Sequence, residues 1–127
     1  MKRRFVCVYL LALLMALPVI TTGQEIGPEN GSLVIVGGGR LDSEILERFL
    51  ALAGGADAPI VVIPTAGGGE HYDQYYRGLG GFKAAGATNL TVLHTTDPTV
   101  ADTDAFVQPL LEARGVWFPG GRQWRLV

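Results

Sequence analysis

Residues 60–66 read Ile60-Val61-Val62-Ile63-Pro64-Thr65-Ala66. Four β-branched side chains stand in a row with no polar residue between them. A strand with one wet face alternates; an unbroken apolar run of this length is the mark of a strand buried on both faces, as in parallel sheets covered by helices. Leu33-Val34-Ile35-Val36 upstream has the same character. Leu90-Thr91-Val92-Leu93 and the shorter Val116-Trp117-Phe118 follow downstream.

Helical patterns fill the intervals. Ile45, Leu46, Phe49, Leu50 and Ala53 repeat at helical spacing, with Asp42 or Ser43 able to cap the start and Gly54-Gly55 placed to end it. Tyr72, Tyr75, Tyr76, Leu79 and Phe82 suggest a second helix, which Gly78, Gly80 and Gly81 weaken by up to about 1 kcal/mol each. Phe106, Val107, Leu110 and Leu111 form a third stripe, starting near Asp102. Pro109 lies inside it and predicts a kink or a restart, because it removes one backbone hydrogen bond.

Strand and helix thus alternate with short connections. Right-handed crossovers then predict a doubly wound parallel α/β sheet of four strands and three helices. By analogy with flavodoxin-like folds the order is 2-1-3-4, which places 33–36 between 60–63 and 90–93. The last strand falls on an edge, and a fourth helix is expected where the chain stops. The expectation is therefore an incomplete domain, the first part of a larger one, with Trp117 and Phe118 on a sticky edge.

The N-terminus is of another kind. Met1-Lys2-Arg3-Arg4 precedes an apolar run from Phe5 to Leu17, Pro18 breaks the run, and Thr21-Thr22-Gly23 offers small residues for cleavage. Residues 1–23 read as a signal peptide, the run being shorter than the roughly 20 residues of a membrane span. Residues 24–127 would then be a secreted or periplasmic domain with no stable hold on the membrane. The leader carries three basic residues and no acidic one, so the net charge moves from −2 to −5 on its removal. An acidic domain lacks the basic face that nucleic acid or anionic lipid requires. Cys7, the only cysteine, leaves with the leader, and with it any disulfide, zinc-thiolate site or cysteine nucleophile.

In open α/β sheets ligands bind outside the carboxyl ends of the strands. Four loops lie there: Gly37-Gly38-Gly39-Arg40, the segment from Pro64 to His71, His94-Thr95-Thr96-Asp97, and Pro119-Gly120-Gly121-Arg122-Gln123. The first does not match a dinucleotide fingerprint, because the residue three after Gly39 is Asp42, and it lacks the Lys and Ser/Thr of a P-loop. A tight turn beside a neighbouring loop accounts for it better. The last loop ends a buried strand in two glycines at a strand-to-helix turn. Backbone N–H groups there suit a developing oxyanion.

Three segments together carry a resemblance: Gly31-Ser32-Leu33-Val34-Ile35-Val36-Gly37-Gly38-Gly39, then Val61-Val62-Ile63-Pro64-Thr65-Ala66, then Gly115-Val116-Trp117-Phe118-Pro119-Gly120-Gly121-Arg122-Gln123. In these the chain resembles the cyanophycinase family, serine peptidases related to aspartyl dipeptidase with a class I glutamine amidotransferase-like fold. The resemblance implies a hydrolase of aspartyl peptide or isopeptide bonds. A serine on a strand-to-helix elbow and a later histidine would do the chemistry. It further implies that Gly120 and Gly121 supply oxyanion N–H groups. Gln123 and Arg122, with Gly38 and Gly39 of the opening loop, would contact substrate. Arg122 departs from the Asp or Asn that many members carry there. No cofactor and no metal is implied.

The elbow serine and histidine would follow Val127, so the chain alone is expected to be inactive. Ser32 precedes the first strand, at the wrong end of the sheet, and Ser43 stands where helix capping explains it. His71 and His94 lie at the correct end but have no nucleophile to serve. With Glu70, Asp73 and Asp97 they show no metal-ligand spacing, and loop polarity explains them more simply. Tyr72, Tyr75 and Tyr76 read as a helix face with an exposed flank, and Trp117 as core. Trp124 would fall in the next helix. Asn30-Gly31-Ser32 and Asn89-Leu90-Thr91 match the glycosylation sequon, a short pattern that arises readily by chance. Two other readings remain open from the residues: a flavodoxin-like nucleotide-binding module, and a non-catalytic secreted α/β binding domain.

Overall fold

The computed structural model of the chain describes residues 30–39 and 41–127. The leader assigned to residues 1–23 lies outside the described residues. Helix α1, Ser43–Ala53, forms as its stripe requires. Asp42 is the N-cap and accepts from the Ser43 N–H at 2.9 Å. Gly54 ends the helix in the left-handed region with φ 111°, and the Gly55 N–H closes on Leu50 O at 2.8 Å. Leu46, Phe49, Leu50 and Ala53 turn inward together.

Strand β1, Ile60–Val62, is buried on both faces, as its unbroken apolar run demands. Strand β2, Leu90–Val92, pairs with it in parallel, in the register Ile60↔Leu90 and Val62↔Val92. Strand β3, Gly115–Trp117, pairs in parallel on the other side, Ile60 opposite Gly115 and Val62 opposite Trp117. The sheet is open, parallel and three-stranded, in the order β2-β1-β3. With its helices it is an α/β arrangement, contained in the compact unit Ser32–Val127.

Three expectations are corrected. Leu33–Val36 is not a strand: the order 2-1-3-4 put it beside Ile60–Val62, but both edges of β1 are taken by β2 and β3. Leu33 and Ile35 are each 83% exposed, while Val34 leans on the core. The segment has strand propensity without a hydrogen-bonded partner, and propensity alone does not make a ladder. The expected helix over 72–82 is also shorter. A 3-10 turn at Arg77–Leu79 leads into α2, Gly80–Ala84, and only Leu79 and Phe82 of the stripe are fully buried. Gly78, Gly80 and Gly81 carry the entropic cost that limits it. Finally, α3, Pro98–Ala101, stands apart from α4, Asp104–Glu112, which Thr103 caps and which runs through Pro109.

The core lies between the sheet and the α1/α2 side. Phe49 meets Phe82 and Trp117 edge-on, with ring centroids 6.0 and 5.1 Å apart, and Phe82 meets Trp117 at 5.5 Å. The outer edge of β2 is closed by one side chain. The Gln74 amide donates to Val92 O at 3.3 Å and accepts from Val92 N–H at 3.2 Å, imitating a further strand. No helix among the described residues is long and apolar enough to cross a membrane.

Candidate functional site

At the carboxyl end of β1 the chain makes a 3-10 turn, Pro64–Gly67. At the end of β3 it runs through Phe118 and Pro119 to Gly120-Gly121. The two loops are stitched together at one oxygen. Ala66 O accepts the Arg122 N–H at 2.9 Å and Arg125 Nη1 at 3.1 Å. Gly121 lies against the same peptide. A Cβ at Gly121 would fall on the Ala66 carbonyl and within 2.7 Å of the Gly67 nitrogen. No other residue type fits there.

The Gly37–Gly39 loop faces this junction across a cleft of about 570 Å³. Gly38, Gly39, Gly120 and Gly121 all line it, over a floor of Phe82 and Trp117. Tyr76 forms part of the wall. Burial pushes its phenol up, and the neighbouring Tyr72 adds to the shift, so it stays neutral. Among the described residues no acceptor meets the Gly120 or Gly121 N–H, whereas the Arg122 N–H is spent on Ala66. The mouth of the cleft can thus offer peptide N–H groups to a negatively charged oxygen.

The other two expected contacts lie elsewhere. The Arg122 guanidinium sits 5.3 Å over the Trp124 ring, and Gln123 opens the last 3-10 turn, Gln123–Arg125. Neither lines the cleft. Ser43 stands in the first turn of α1 and Ser32 is exposed ahead of the Leu33–Val36 segment. His71 is exposed. Among the described residues no three His, Cys, Asp or Glu side chains converge as a metal site would need.

His94 has a partner that the sequence did not single out. Thr65, 8% exposed, places Oγ1 2.9 Å from His94 Nδ1. With the hydroxyl as donor, the imidazole carries its proton on Nε2, which faces Glu70 O at 3.4 Å. The Tyr72 ring packs edge-on at 4.8 Å. The pair joins the ends of two adjacent strands, and among the described residues no carboxylate orients the ring. It is a lock between loops. Thr65→Val leaves a part-buried nitrogen unpaired and should cost about 1–2 kcal/mol in urea unfolding. In the same variant the His94 ring nitrogen resonances should lose their single-tautomer pattern.

A second cleft of about 430 Å³ lies beyond this lock, floored by Ile63, Leu93, Phe106 and Leu110. Asp97 stands at its rim as the cap of α3. The Thr99 hydroxyl at 2.7 Å and the Thr99 N–H at 2.8 Å hold its carboxyl below the usual carboxylate value. A depressed carboxyl stabilises the fold above its unfolded-state value and ceases to do so as pH falls through the folded one. Asp97 should therefore titrate below an unstructured aspartate in a carboxyl carbon NMR series. Thr99→Ala should move its midpoint up.

Gly38, Gly39, Gly120 and Gly121, singled out in the sequence, line the first cleft; Thr65, Gln74 and Arg125 carry no comparable sequence signal. The only available signal for Thr65 and His94 was their position just past two strand runs. No protein-family model matches the chain, and no curated protein or solved structure matches it either.

Proposed function

We propose that this chain forms one wall of the active site of a secreted serine-type hydrolase similar to the cyanophycinases, acting on aspartyl peptide or isopeptide bonds. The reading rests on one observation. The segments that carry the resemblance, far apart in sequence, meet at the carboxyl end of the sheet. Gly37–Gly39 and Phe118–Gly121 face each other across a cleft, and Gly121 is seated on the Pro64–Gly67 turn.

In this proposal the nucleophile comes from a segment that follows Val127. Its serine hydroxyl adds to the amide carbonyl while its proton passes to histidine. The Gly120 and Gly121 N–H groups hold the oxyanion, the proton leaves with the departing amine, and water then frees the acyl group. The test is hydrolysis of a β-aspartyl dipeptide by a product extended beyond residue 127, with and without a serine-directed inhibitor. Inhibitor-sensitive cleavage supports the proposal. An extended product that cleaves no such peptide contradicts it.

A further inference from the structure

The cleft between the two glycine loops has a chemical character of its own. Its floor is Phe82 and Trp117, and its walls are Val36, Leu41, Tyr76 and Phe118. Among the described residues the Tyr76 phenol is the only ionisable group that lines it. The remaining surface is backbone. A Cβ at Gly37, Gly38, Gly39 or Gly120 would meet nothing within 4 Å, so these peptide groups stand open to whatever enters.

Such a cavity selects its occupant by two rules. Aromatic and aliphatic walls favour an apolar side chain, with ring edges available for stacking. Open peptide groups at the mouth match the N–H and C=O of a peptide. A charged side chain pressed against these aromatic and aliphatic walls, away from the N–H groups at the mouth, would lose its water and gain no partner among the described residues.

We infer that this cleft is a side-chain subsite for a neutral aromatic or large aliphatic residue of a peptide ligand. The inference rests on the proposed hydrolase reading only for placing this residue next to the bond that is cut. It narrows that reading. The favoured substrate joins aspartate to an apolar residue, and the arginine of an aspartate–arginine unit is disfavoured in this cleft.

Binding can be read without turnover, on the 127-residue chain carrying Trp124→Phe, where Trp117 is the remaining tryptophan. The probes are the N-acetyl amides of phenylalanine, leucine, arginine and aspartate. The phenylalanine and leucine amides should change Trp117 emission saturably, at least about tenfold more tightly than the charged pair. Gly38→Leu places an apolar side chain at the mouth, and its Cβ would meet nothing within 4 Å. It should weaken the phenylalanine amide at least about tenfold while the thermal midpoint stays put. Equal or tighter binding of a charged amide overturns the inference, whether or not Arg40→Ala abolishes it. So does a flat response to the aromatic amide, or unchanged binding in Gly38→Leu. A flat titration leaves the hydrolase reading standing. Selective binding by a protein whose extended product cuts nothing removes the hydrolase reading and keeps the subsite.

Discussion

Gly121→Ala lowers stability by about 2–4 kcal/mol. The added carbon falls on the Ala66 carbonyl and against the Gly67 nitrogen. Both are backbone, so no side chain can swing aside. The 119–125 loop must lift, which breaks the Arg122 N–H bond to Ala66 O at 2.9 Å and draws Arg125 away from the same oxygen. Thermal unfolding should fall by on the order of 10 °C. Hydrogen exchange at the Arg122 amide should accelerate even where the remainder of the sheet stays protected. Gly120→Ala is the control. Its Cβ would meet nothing within 4 Å, so it should leave both readouts near their starting values.

Phe82→Ala removes the ring that α2 contributes to the core. Phe82 is 2% exposed and meets both Phe49 and Trp117 edge-on. The expected cost is about 3–5 kcal/mol, from lost burial and the cavity left behind. A domain of this size has a total stability of only about 5–15 kcal/mol. The variant should thus lose a large share of that stability, with the thermal midpoint down by on the order of 20 °C and a weakened near-ultraviolet dichroism of Trp117. Phe82→Leu, which keeps most of the volume, should cost about 1 kcal/mol and retain that signal.

How much of this was legible in the sequence depends on whether a feature is local. Helix α1 was readable because its stripe, its Asp42 cap and its Gly54 stop all lie within one short segment and agree. Strand β1 was readable because burial on both faces leaves no polar residue in the run. Strand order is not local. Leu33–Val36 has the same composition as β1, and nothing within it says that β2 and β3 occupy both of β1's edges. The same error hid the Thr65–His94 lock. An order that set 33–36 between the two strands kept Thr65 and His94 apart, whereas the observed register, Val62 opposite Val92, brings them together. The 72–82 stripe failed for a different reason. Tyr72 takes up a loop contact instead, its phenol oxygen accepting the Gly69 N–H at 2.9 Å.

The residues of the candidate site can be named from the sequence, but their contacts cannot. Gly38, Gly39, Gly120 and Gly121 line one cleft, and the reason Gly121 must be glycine is the neighbouring peptide. Arg122 is expected from the resemblance to contact substrate. It lies over Trp124, a contact three-dimensional placement alone could reveal.

The central proposal is that this chain would supply the oxyanion wall and a serine following Val127 the nucleophile. It is tested most directly by covalent labelling. A fluorophosphonate probe is added to the 127-residue chain and to a product extended in frame, and the modified peptide is identified by mass spectrometry. The account predicts no label on residues 24–127 and one labelled serine in the extension. A label on Ser32, Ser43 or Thr65, or an extended product that takes up none, would contradict it.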